Sequence, residues 1–140
     1  MANIKKYGEF TLNIPCQEIL NKVEIAGFHS GQNKIGMADI TYDLGEKVDA
    51  PLLDECLLNI ECRVEHIVEH GDYTNFIATI ERRVICDEML NEDGSLNSRD
   101  FNPIYFMGDD KERIYRYFNS DTKKLGENMG CSSEDDSICG

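Results

Sequence analysis

Residues 27–34 read Gly27-Phe28-His29-Ser30-Gly31-Gln32-Asn33-Lys34. These residue types suit an anion. Ser30 offers a hydroxyl, and Gly31 lets backbone N–H groups approach closely. Asn33 adds an amide, and Lys34 supplies a point charge for a phosphate. The same types make up ordinary solvated loops, and on composition alone that plainer reading is favoured.

Other candidates carry less chemistry. His66 and His70 stand four apart, a spacing that on a helix would suit a metal. They fall on a predicted strand and its turn, where four residues span roughly 13 Å, too far for one zinc ion. A partly buried His66 and an exposed His70 are expected. Cysteines stand at 16, 56, 62, 86, 131 and 139, with no C-x-x-C pair. Neither a zinc knuckle nor a thioredoxin-type pair is therefore signalled. Cys56, Cys62 and Cys86 lie in or beside apolar-periodic runs, where a thiol behaves as a small hydrophobe. Nothing orients Cys131 and Cys139. There is no nucleophile elbow, Walker loop or dinucleotide fingerprint. Tyr115, Tyr117 and Phe118 could line a flat cofactor's pocket, though aromatics so spaced near a strand end more often fill a core.

The elements that must hold the 27–34 loop are mostly strands. Phe10, Leu12 and Ile14 alternate with Thr11 and Asn13, the period of a half-buried strand, and Pro15 stops it. Ile19, Leu20, Val23 and Ala26 share a helical face, and Gly27 is placed to end that helix in the left-handed conformation. Residues 37–51 are weakly patterned, and Pro51 holds its predecessor extended. In 57–69, Leu58, Ile60, Cys62, Val64, His66 and Val68 form a dry face, against a wet face of Asn59, Glu61, Arg63, Glu65 and Glu69. Gly71-Asp72 turns the chain into a second run, Tyr73 to Ile85, giving an antiparallel hairpin. Asp93-Gly94 marks a further turn, followed by a short strand with Ile104, Tyr105 and Phe106 and an aromatic segment, 114–118. The count reads as mainly β with minor α, curled into a barrel or packed as a sandwich.

Composition bounds the partners. The chain has 140 residues, enough for about one domain. Its 27 acidic and 14 basic side chains give a net charge of −13, which argues against nucleic acid or an anionic membrane, since phosphate binding draws on an excess of Lys and Arg. No run of about 18 apolar residues is present to span a bilayer. The opening residues have no apolar signal-like region. An intracellular, reduced, cytoplasmic protein is expected. Residues 119–140 are polar and acidic, and their last dozen or so are expected to be a disordered tail behind a domain at 1–118.

Several segments, taken in order, resemble a known family. Gly8-Glu9-Phe10-Thr11-Leu12-Asn13-Ile14-Pro15 looks like the GEF-x-x-N-x-P strand of the flavin reductase-like, flavoredoxin-type proteins. Gly27-Phe28-His29-Ser30-Gly31 resembles that family's CG-x-x-SG segment, which is followed by a lysine. Ala50-Pro51-Leu52-Leu53-Asp54-Glu55-Cys56 is similar to its APLI-x-E segment, and Leu58 to Val64 to its LEC-x-V strand. Gly71-Asp72-Tyr73 stands where the family usually has Gly-Asp-His. Asn102-Pro103-Ile104-Tyr105 resembles its late P-[IL]-x-Y strand. The resemblance covers about residues 7–118.

It implies a split β-barrel that binds FMN, as a homodimer with the flavin near the subunit interface. NAD(P)H would be co-substrate in flavin reduction, or the chain would pass electrons as a small flavoprotein. Ser30, Gly31, Asn33 and Lys34 would belong to the flavin-phosphate neighbourhood. Tyr73 would take the place of a histidine near the flavin or nicotinamide. Ala26 replaces the family's usual cysteine. The family's domain has some tens of residues ahead of the GEF strand, so the barrel is expected to be incomplete at its N-terminus. The alternative expectation is a truncated relative that keeps the scaffold without flavin and acts only as an association module. A third is a generic acidic β-domain that binds a protein partner.

Overall fold

The computed structural model describes residues 2–28, 34–108, 111–119 and 121–127. A short helix, α1 (Ala2–Tyr7), precedes the first strand, an element the sequence pattern did not signal. Gly8 turns out of it at φ +68°, where a Cβ would be strained. Then come β1 (Glu9–Ile14), a 3-10 turn at Gln17–Ile19 and α2 (Leu20–Phe28). The one-turn α3 (Lys34–Met37) leads into a small hairpin, β2 (Tyr42–Leu44) and β3 (Pro51–Leu53). The long hairpin β4 (Leu58–His70) and β5 (Tyr73–Ile85) turns at Gly71-Asp72 as expected. A last hairpin pairs β6 (Tyr105–Gly108) with β7 (Arg113–Arg116).

The main sheet runs in the order β1–β4–β5, all antiparallel. β1 covers β4 only from Leu58 to Arg63. Beyond Val64 the long hairpin has no third strand among the described residues, so residues 65–70 of β4 are exposed on both faces. Two register shifts, at Glu61/Cys62 and Val64/His66, bend the hairpin near that boundary. His66 is therefore exposed and not partly buried.

Side-chain direction on the inner half also departs from the alternation. Thr11 and Asn13, not Leu12, make the contacts of β1 to β3. Thr11 Oγ1 donates to the Pro51 carbonyl at 2.6 Å, and Leu53 N–H donates to Asn13 Oδ1 at 3.1 Å. Leu12 is left 47% exposed. At the base of β4 the expected wet face is dry, since Asn59 and Glu61 are buried under the β2–β3 hairpin and its loop, whereas Arg63, Glu65 and Glu69 are exposed as expected. Gly27 does not end α2; it stays helical and the helix runs on to Phe28. Among the described residues the buried apolar side chains are Ile19, Ala38, Val48, Leu52, Cys56 and Cys62. Tyr117 and Phe118 are exposed and fill no core.

Among the described residues no helix is long and apolar enough to cross a membrane. Residues 121–127 hold a turn but neither helix nor strand. Cys131, Cys139 and the end of the acidic stretch lie outside the described residues.

Candidate functional site

Of the residues singled out for an anion, Ser30, Gly31 and Asn33 lie outside the described residues; Lys34 opens α3, and only its backbone is described. Their two flanking helices are fixed. Lys22 on α2 reaches Glu55 at 2.6 Å and the Asp39 carbonyl at 2.7 Å, tying α2 to the turn before β4 and to the end of α3. Tyr73 sits at the tip of the long hairpin, paired with His70 and 76% exposed. Glu55 precedes the opposite end of that hairpin. Thirteen strand residues span roughly 43 Å, so within one chain Tyr73 and the base of α2 stand at opposite ends of the sheet.

The last described residue before Ser30 is Phe28, which is 81% exposed at the end of α2. It borders a cavity of about 390 Å³ between α2 and the β6–β7 hairpin, lined also by Val23, Glu24, Phe106, Arg113 and Tyr115. Phe106 and Tyr115 are directly paired across the two strands, with ring centroids 5.7 Å apart, edge to face. Gly108 pairs with Arg113, and its missing side chain matters: a Cβ there would collide with the Glu112 backbone. Two aromatic walls and a guanidinium thus share one face of the hairpin. Arg113 makes no ion pair or side-chain hydrogen bond among the described residues. Of this group the sequence reading had named only Tyr115 as a pocket residue, and it missed Arg113, Phe106 and Glu24. The signal for them is the period-2 alternation that puts Arg113 and Tyr115 on one side of β7.

A second polar centre holds the β2–β3 hairpin in place. The Glu61 carboxylate is fully buried. It accepts N–H bonds from Lys47 at 2.6 Å and Val48 at 3.1 Å, and an ion pair from Arg82 at 3.1 Å. Burial opposes its ionisation, but the Lys47 N–H, the Arg82 guanidinium and the Val48 and Glu46 N–H groups outweigh burial and hold the carboxyl below its usual range. Glu9 adds to the same frame, taking the Asp49 N–H and Arg63. These contacts are architectural.

Three cysteines converge where β1 ends, β4 begins and β5 ends. Cys16 Sγ lies 3.9 Å from the Glu55 carbonyl, and Cys86 Sγ lies 3.3 Å from the Cys56 carbonyl. All are free thiols. Burial, followed by the neighbouring Cys16, Cys86 and Glu55, pushes the Cys56 thiol up to about 12. That suppresses the Cys56 thiolate, so this buried thiol is a poor nucleophile. Among the described residues no group of three His, Cys, Asp or Glu is placed to hold a metal ion.

The flavin reductase like domain family matches residues 1–122 of this chain. The chain belongs to that family. An uncharacterized protein of Pyrococcus abyssi is 40% identical over 77 residues, which is 55% of this chain and 45% of the relative. The chain spans about half the length of the curated relatives it matches. Flavoredoxin of Desulfovibrio vulgaris superposes with a TM-score of 0.79 at 28% identity, covering 91% of this chain and 68% of flavoredoxin. A split-barrel domain protein of Shewanella frigidimarina superposes at 0.65 and 17% identity, covering 88% and 62%, a likeness of fold alone. The fold is thus the mainly β, minor α split barrel of flavoredoxin-type proteins, as the sequence motifs implied.

Proposed function

We propose that this flavin reductase-like protein binds FMN, and either reduces flavin with NAD(P)H or passes electrons as a small flavoprotein of the cytoplasm. What supports this reading is the family match across residues 1–122. The chain's own residues fit such a group. The segment carrying Ser30, Gly31, Asn33 and Lys34 leaves α2 at Phe28, which is one wall of a cavity with aromatic sides. A flat ring beside a phosphate-binding bend matches that order along the chain. When bound, FMN supplies the hydride and single-electron chemistry, while the protein supplies binding, orientation and electrostatics. In this reading Lys34 offsets phosphate charge, and Ser30, Gly31 and Asn33 donate to phosphate oxygens. Tyr73, at the far end of the sheet, joins such a site from the other chain of a homodimer. Its part in this reading is contact with the bound ring.

The test is titration of the purified protein with FMN, following quenching of flavin fluorescence. Saturable binding is expected, weakened about tenfold by Lys34→Ala through loss of a charge-assisted contact. Sedimentation of the flavin-loaded protein is expected to show a dimer. A chain that takes up no FMN overturns the reading and leaves the scaffold as an association module.

A further inference from the structure

Asn59 leaves one strong hydrogen-bonding atom unmatched. It stands on the central strand β4, paired with Asn13 of β1 and Val84 of β5, and is 6% exposed. Its Nδ2 donates to the Leu53 carbonyl at 3.1 Å. That bond fixes which way the amide faces and leaves Oδ1 buried without a partner. No other buried side-chain nitrogen or oxygen among the described residues is left this way. A buried acceptor without a donor has lost its water and gained nothing in return.

Asn59 lines a cavity of about 330 Å³ between the β2–β3 hairpin and the end of β5, with Leu52 and Val84 as apolar wall. Three carboxylates surround it, each from a different segment: Asp43 on β2, Asp54 just after β3 and Asp87 in the 3-10 turn that follows β5. All three are exposed, and none is in an ion pair among the described residues. An acidic rim by itself is an ordinary solvated surface. The orphaned amide oxygen is a separate observation, and it calls for a donor. Among the described residues no group of three His, Cys, Asp or Glu is placed to hold a metal ion. The acceptors therefore suit N–H donors spread along a larger cation.

We propose that this cavity binds a short aliphatic diamine in its diprotonated form. One ammonium donates to Asn59 Oδ1, the methylene chain lies on Leu52 and Val84, and the second ammonium meets the aspartates. A primary ammonium has three donors, so it fills the empty acceptor and still bonds to a carboxylate. The site shares no residue with the 27–34 bend, with Tyr73 or with the aromatic cavity, so it stands apart from the flavin reading.

Calorimetric titration of the full chain with 1,4-diaminobutane tests this. Saturable binding of one diamine per chain is expected. The quaternary counterpart, with a trimethylammonium at each end, keeps both charges and the chain but has no N–H. It should bind about tenfold to a hundredfold more weakly, the range for a charge-assisted hydrogen bond. Asp43→Asn and Asp87→Asn together should weaken the diamine about tenfold, as for two partly solvated charge pairs. Glu88→Gln and Glu92→Gln together remove the same charge from residues that do not line this cavity, and should change affinity less than about twofold. Circular dichroism of each double variant checks that it folds. The side-chain amide resonances of Asn59 should shift with the diamine and stay in place with the quaternary compound. The proposal is overturned if the diamine does not bind. It is equally overturned if the quaternary compound binds as tightly, or if both double variants act alike. Those results mean general attraction to a chain of net charge −13, with a buried water on Oδ1.

Discussion

Glu61 and Arg82 form an ion pair in which the carboxylate is wholly buried while the guanidinium keeps a third of its side chain in water. The pair ties β4 to β5, and the same carboxylate holds the loop between β2 and β3 through Lys47 and Val48. Replacing Glu61 by Gln leaves Arg82 with only the exposed Glu46 as a charge partner and turns one acceptor into a donor facing backbone N–H groups. A loss of about 3 kcal/mol is expected, in the range for breaking a buried pair. Urea unfolding of the two proteins measures it. A change under about 0.5 kcal/mol, typical of an unconstrained surface site, would count against this role.

The same carboxyl sets a pH dependence. Its folded-state pKa lies below the usual 4.5, so the folded state binds fewer protons than the unfolded state in the acid range. Its contribution is therefore complete above about pH 5 and is lost as pH falls through the depressed native value. Stability measured from pH 7 down to pH 3 should fall less steeply for Glu61→Gln than for the unsubstituted chain. Parallel curves would show that Glu61 is not the titrating group.

Gly45 is needed for a steric reason. A Cβ there would stand 2.6 Å from the Val48 carbonyl oxygen and 2.8 Å from Glu61 Oε2. Gly45→Ala should force the loop off the carboxylate and cost about 1–3 kcal/mol, as overpacking does. In the Glu61→Gln background part of that cost should vanish, since the two changes disrupt one contact. Thermal unfolding of the two single variants and the double variant reads the coupling.

Cys56 and Cys62 are 3% exposed, and burial raises both thiols. Iodoacetamide at pH 8 should modify Cys16 and Cys86, which are only partly covered, well before either of these. All four should react once the chain is unfolded. Mass spectrometry of a labelling time course checks the order, and early modification of Cys56 would contradict the packing described.

Much of the scaffold was legible because its signals are local. Gly71-Asp72 between two β-rich runs gave the long hairpin, and the aromatic segment at 114–118 overlaps β7. What escaped depends on contacts distant in sequence. Asn59 and Glu61 read as a wet face because nothing in their own strand announces that residues 45–53 will cover them. Leu12 read as buried because alternation cannot say which face of β1 meets β3. Gly27 read as a helix stop, yet α2 continues through it. The motifs placed the phosphate-type bend in the sequence, whereas the aromatic cavity needed the spatial meeting of α2 with a hairpin some eighty residues later.

One consequence follows from the length of β4 and β5 relative to β1. Amide hydrogens between Leu58 and Arg63 are sandwiched between two neighbouring strands, whereas those past Val64 have, among the described residues, a single neighbouring strand. A single pair of strands thus carries two resistances to opening. Deuterium should enter from the Gly71 end and slow sharply at the bulges, so that the tip breathes while the base stays shut.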